Sequence, residues 1–118
     1  MLSTARDYAR FLEALRRGGS LDGTRILSPL SVKLMSTNQV GSLHSTDGLG
    51  FGLGFETVDR LGANGMSQAG AFGWGGAYGS IYRVDPEARL VMVLMIQLIP
   101  NATDIRDVFP SLVYQSLR

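Results

Sequence analysis

The chain has 118 residues, 45 % of them apolar and 18 % charged, with a net charge of +1, fifteen glycines and no cysteine. That length suits one domain of about 100–150 residues with a modest core, and the apolar share excludes wholesale disorder. A balanced charge leaves no electrostatic footprint for nucleic acid or an anionic membrane, and without cysteine there is no disulfide framework, thiol nucleophile or Cys-ligated zinc site.

The first segment reads as a helix. Thr4 and Asp7 have the spacing of a capping box, and Tyr8, Phe11, Leu12 and Leu15 fall on one helical face. Arg16-Arg17 suits a last turn, and Gly18-Gly19 is a stop signal. Asp22-Gly23 marks a turn; Ser28-Pro29 then reads as N-cap and first helical residue of a second helix ending near Thr37-Asn38. Its apolar contacts come from Leu30 and Leu34, or from Val32 and Met35. Residues 39–50 read as polar loop.

Strand signals follow. Phe51, Leu53 and Phe55 alternate with Gly52, Gly54 and Glu56, which predicts one strand. A Gly/aromatic stretch, Ala71–Gly79, precedes a strand over Ser80–Val84 and a turn over Asp85–Arg89. The run Leu90–Ile96 has no polar face and predicts a central strand covered on both sides. Asn101–Asp104 can cap a last helix whose apolar side is Ile105, Val108, Leu112 and Leu117, with a kink at Pro110. The expectation is an α+β fold over residues 1–118. It has helices over 1–38, an antiparallel sheet of three to four strands over 50–99, and a terminal helix over 103–118.

The chemistry-bearing inventory is short. Lys33 is the one lysine and His44 the one histidine. Leu30 stands where a Ser-x-x-Lys nucleophile would need its serine, and no Gly-x-Ser-x-Gly turn presents one elsewhere. His44, near Asp47, reads as a solvated loop residue, with new chemistry centred on it as a weaker alternative. Asp104/Asp107 and Asp85/Glu87 read as a helix start and a turn rather than acid/base pairs. No metal site or cofactor is expected. Residues 1–7 lack an apolar leader, and no apolar run reaches the ~20 residues of a membrane span. A cytoplasmic location is the default expectation. By composition alone, Phe72–Gly79 is either a glycine-rich bulge with Trp74 and Tyr78 in the core, or a strand against which something lies flat.

Several segments in order alter that balance. They are Leu2–Leu12, Ile26-Leu27-Ser28-Pro29, Gly50–Phe55, Trp74-Gly75-Gly76-Ala77-Tyr78-Gly79, Val84-Asp85-Pro86 and Val93-Leu94-Met95 followed by Gln97. Together they resemble the C-terminal third of serine β-lactamase-like hydrolases: class C β-lactamases, penicillin-binding-protein-like enzymes and related carboxylesterases, with the esterase branch nearest. The resemblance implies an antiparallel sheet flanked by helices. It also implies a site made of a Ser-x-x-Lys helix, a Tyr-x-Asn or Tyr-x-Ser loop, and a third motif on a strand. Trp74, Gly75 and Gly76 match that third motif as a pocket wall, and Ala77 matches the residue whose backbone N–H completes the oxyanion hole. Trp74 in place of a cationic lysine leans towards apolar esters. Tyr78-Gly79-Ser80 and Tyr114-Gln115-Ser116 are out of place for the second motif. The resemblance therefore implies a C-terminal hydrolase portion without nucleophile or base, inactive alone and needing either its N-terminal portion or a second copy to cover the sheet edge. The alternative is a non-catalytic module that self-associates.

Overall fold

A computed structural model describes residues 2–118. Helix α1 (Ala5–Arg16) starts as its capping box requires: Thr4 Oγ1 accepts from the Asp7 amide at 3.1 Å and donates to Asp7 Oδ2 at 2.9 Å. Glu13 accepts from Arg16 Nε and Arg17 Nε at 2.6 Å each. Those hydrogen bonds, the one to Arg16 foremost, outweigh burial and hold its carboxyl at about 2. Gly18, at φ 74°, ends the helix as predicted, and the Gly19 amide reaches back to the Ala14 carbonyl at 2.7 Å.

The connection after α1 is more ordered than its turn signal suggests. β1 (Ser20–Leu21) pairs with β2 (Thr24–Arg25) across Asp22 and Gly23, both at positive φ. Helix α2 (Pro29–Met35) is capped by Ser28, whose Oγ accepts from the Ser31 amide at 3.0 Å. Val32 is buried and Met35 packs against the core, whereas Leu30 and Leu34 face outward.

The main sheet has five strands, not three to four. They are β3 (Leu49–Phe51), β4 (Glu56–Val58), β5 (Phe72–Gly75), β6 (Ile81–Asp85) and β7 (Leu90–Leu94). All are antiparallel and lie side by side in sequence order. The undercount has a local cause. Phe51, Leu53 and Phe55 alternate, but the chain turns between them: the Gly52 amide donates to the Phe55 carbonyl at 2.8 Å and Gly54 sits at φ 96°. A Cβ on Gly52 would fall on the Met35 carbonyl, so the hairpin turn is pressed against the end of α2.

The second correction concerns Leu90–Ile96. Helix α1 lies over one face of β7 and helix α3 (Ile105–Gln115) meets the other. Yet β7 closes the sheet as an edge strand, so only Met92 of its five residues is buried. A run without a polar face signals cover on both faces; it carries no information on whether a hydrogen-bonding neighbour is present.

One face of the sheet carries the core: Leu12 and Leu15 from α1, Val32 from α2, and Phe55, Phe72 and Val84 from the sheet. Tyr8 extends it by meeting Tyr82 edge-on at 5.1 Å. Burial pushes the Tyr82 phenol well above its ordinary range, and Tyr8 adds to the shift. The other face is tied to α3 by a buried polar link. Tyr114 Oη donates to Asp85 Oδ2 at 2.6 Å, and Asp85 is fully buried.

α3 departs from its expected orientation. Ile105, Val108, Leu112 and Leu117 are 37–59 % exposed, and Tyr114 is the buried residue. The helix runs through Pro110; the missing N–H leaves the Arg106 carbonyl without its helical partner. Asp104 makes no side-chain cap.

Candidate active-site wall

The end of β5 owes its shape to its glycines. In register, Phe51, Glu56, Gly73, Arg83 and Met92 form one row across β3 to β7. At Gly73 a Cβ would collide with the Tyr82 carbonyl, so β5 and β6 approach more closely than a side chain allows. At Gly75 it would fall on the Arg106 guanidinium, which α3 lays against the strand. These are two separate close approaches, and both favour the reading of a strand with something flat against it over that of a bulge with Trp74 in the core. Trp74 is 46 % exposed.

β5 then stops abruptly. The Gly76 amide donates to the Ser80 carbonyl at 2.7 Å, and the Gly79 amide donates to the Gly76 carbonyl at 3.1 Å. This closes a tight turn with Gly79 at φ 92°. Among the described residues the Ala77 N–H has no hydrogen-bond partner. Ala77 is exposed and lines a groove of about 710 Å³ together with Trp74, Gly75, Gly76, Glu56 and Arg83. Arg106 and Asp107 border the same groove from α3. A second, more apolar groove of about 740 Å³ lies beyond Gly75 and Gly76, against Tyr8, Tyr78, Tyr82 and Val93. Only the first groove contains all four residues of the sequence-predicted wall.

The groove floor is charged and cross-braced. Arg83 Nη1 donates to Ser67 Oγ at 3.1 Å, and the Asn64 amide oxygen, turned towards the guanidinium, accepts from both terminal nitrogens of Arg83. Burial lowers the Arg83 pKa, and the Glu56 carboxylate opposes that shift. Glu56 in turn meets His44: Nε2–H donates to Oε2 at 3.0 Å, with the two side chains 28 % and 23 % exposed. His44 is an exposed loop residue, as the sequence reading has it, and the structure adds a partner for its side chain. Its loop folds back over β3 and β4, and its partner lies twelve residues away. No local spacing signals such a pair.

Asp85, Tyr114 and Ser80 are held by structural hydrogen bonds. Asp85 accepts from the Ala88 amide at 2.9 Å and the Gln68 amide at 3.2 Å, besides Tyr114. It holds a turn and a loop and faces no groove. Tyr114 is therefore committed to Asp85. Ser80 is committed to the Ile96 backbone, donating at 3.0 Å and accepting at 3.1 Å.

An antiparallel sheet flanked by helices is the architecture of the β-lactamase-like fold. A sequence model of the Beta-lactamase family matches residues 1–109, and the chain belongs to that family. It is similar to two proteins of Mycobacterium tuberculosis, Protein Rv1367c of strain ATCC 25618 / H37Rv and Uncharacterized protein MT1414 of strain CDC 1551 / Oshkosh. Each is 37 % identical over 112 residues, 84 % of this chain and 28 % of the relative. Among solved structures it is similar to EstCE1, described as a hydrolase with promiscuous acyltransferase activity. The TM-score is 0.69 and the identity 30 %, over 88 % of this chain and 27 % of that one. The chain thus spans under a third of the length of these proteins. No helix among the described residues is long and apolar enough to cross a membrane.

Proposed function

We propose that this chain supplies the third-motif wall and one oxyanion-hole donor of a serine ester hydrolase, its nucleophile and base lying outside these 118 residues. The observation that carries the reading is the unpaired Ala77 N–H at the mouth of the groove, directly after Trp74-Gly75-Gly76. An amide held at the end of a strand needs no reorganisation to meet a developing oxyanion, which is where such donors act. Trp74 in place of a lysine gives that end of the wall an apolar face, which favours neutral esters over substrates recognised through a carboxylate. The likeness to EstCE1 supports the esterase branch over the class C β-lactamases.

The test is a chimera in which this chain replaces the matching segment of EstCE1. Ala77→Pro removes the donor and is expected to lower kcat for a p-nitrophenyl ester by about 10²–10³. Ala77→Gly keeps the N–H and should stay near the parent rate. Equal rates for the two variants would remove Ala77 from the oxyanion hole.

A second reading has its own support. β7 presents an unpaired edge, and the apolar residues of α3 face outward beside it. An open edge with apolar residues next to it is an association surface. A second copy of the chain would cover it if no hydrolase portion does, giving a non-catalytic homo-oligomeric module. Light scattering behind size exclusion at low micromolar concentration is then expected to give at least a dimer; a well-folded monomer at that concentration removes this reading.

A further inference from the structure

His44 and Glu56 stand behind the wall, and the proposed reaction uses neither. The short 3-10 turn Gly41–Leu43 delivers His44 to β4, where Glu56 anchors its ring. The imidazole lies 5.3 Å from Phe51 and 6.5 Å from Trp74, centroid to centroid. Phe51 meets the Trp74 indole edge-on, at 4.9 Å and 89°. Trp74 is flanked along its own strand by Gly73 and Gly75, which have no side chains to limit where the indole turns. Two rings, Phe51 and His44, thus stand beside the indole, and of these two only His44 is hydrogen-bonded.

We propose that His44 is a positioning residue for Trp74. By donating to Glu56 and standing beside Phe51 and the indole, it fixes the face that Trp74 turns to the groove. It thereby sets which ester groups fit at that end. Its functional meaning rests on the reading of the groove as an ester site; the contact itself does not. Of the charged groups, Glu56 from β4 bonds His44, and Arg83 from β6 with Arg106 and Asp107 from α3 line the groove beside Trp74.

The chain has one tryptophan and one histidine, so its indole emission reports Trp74 alone and its imidazole proton resonances report His44 alone. Both are followed through a pH titration of the whole chain. An imidazolium close to an indole quenches it, so Trp74 emission is expected to fall along the curve of the His44 resonances. In His44→Gln that change should vanish, with emission shifted to the red and quenched more steeply by acrylamide. His44→Phe should restore the protection from acrylamide without restoring the titration. Glu56→Gln should weaken the coupling between emission and His44 protonation, because the ring loses its anchor. Circular dichroism checks that each variant is folded. Emission that ignores His44 protonation, or a folded His44→Gln quenched no more readily than the parent, overturns the proposal. An absence of ester turnover in the chimera would leave these optical results untouched, so the two readings fail separately.

Discussion

Given a p-nitrophenyl ester, the 118-residue chain alone is expected to show no turnover above buffer. A wall and an oxyanion donor stabilise a transition state only when an attacking group reaches the carbonyl. Removing the nucleophile from a serine hydrolase unit costs on the order of 10⁶ in rate. The one lysine, Lys33, lies in α2 with Leu30 three residues before it. Ser80, which lines the second groove, holds the Ile96 backbone through both its donor and its acceptor, and the buried Ser67 accepts from Arg83. His44 is the one base of suitable type, and its recorded partner is the Glu56 carboxylate, with no serine in reach of a hydrogen bond. A nucleophile and base thus do not converge in the described residues. The assay needs a serine-directed phosphonate beside it. Turnover by the chain alone that the phosphonate abolishes would mean that a reactive serine had been overlooked; turnover that appears only when an N-terminal hydrolase portion is joined is the expected outcome.

How much of this was legible in the sequence depended on the range of the interactions involved. Thr4 with Asp7, Ser28 with Pro29, and Gly18-Gly19 are contacts within a few residues, and each cap forms as its spacing predicts. The segment Trp74–Ala77 stood out as part of an ordered set of motifs, and the structure places all four residues on one groove. What sequence reasoning missed is long-range or ambiguous in period. Phe51-Gly52-Leu53-Gly54-Phe55 has the alternation of a strand, but close packing of Gly52 on the α2 terminus turns it into a hairpin. The apolar run of β7 encodes covered faces and is silent on edges. The apolar stripe of α3 pointed to the wrong side of the helix, because one phenol–carboxylate bond twenty-nine residues apart holds that helix through Tyr114. The pairing of His44 with Glu56 was invisible for the same reason: neither residue's neighbours require the other.

That phenol–carboxylate bond is part of a buried cluster expected to matter strongly for stability. Asp85 is fully buried and accepts from three donors: the Tyr114 hydroxyl and the amides of Ala88 and Gln68. Replacing it with alanine strands all three donors at once. A buried donor without a partner costs about 1–3 kcal/mol, so Asp85→Ala is expected to destabilise the chain by about 3–5 kcal/mol. That is a large part of the 5–15 kcal/mol, roughly, that a domain has in total. Tyr114→Phe removes one donor and leaves the carboxylate two amides, so about 1.5–3 kcal/mol is expected, the range for a hydrogen bond to a charged group. Urea denaturation read by circular dichroism measures both. Alkaline pH then tests the burial and hydrogen bonding of that hydroxyl. Burial first, and the bond to Asp85 second, push the Tyr114 hydroxyl from 10 up to about 12. A group whose pKa is raised on folding contributes stability that is complete below its unfolded value and is lost as pH climbs through the folded one. The stability gap between the parent chain and Tyr114→Phe should therefore be widest below pH 10 and close towards pH 12, because only the parent has this phenol to ionise. A gap that stays constant across that interval would show that the hydroxyl's pKa is not raised on folding, against its burial and its bond to Asp85.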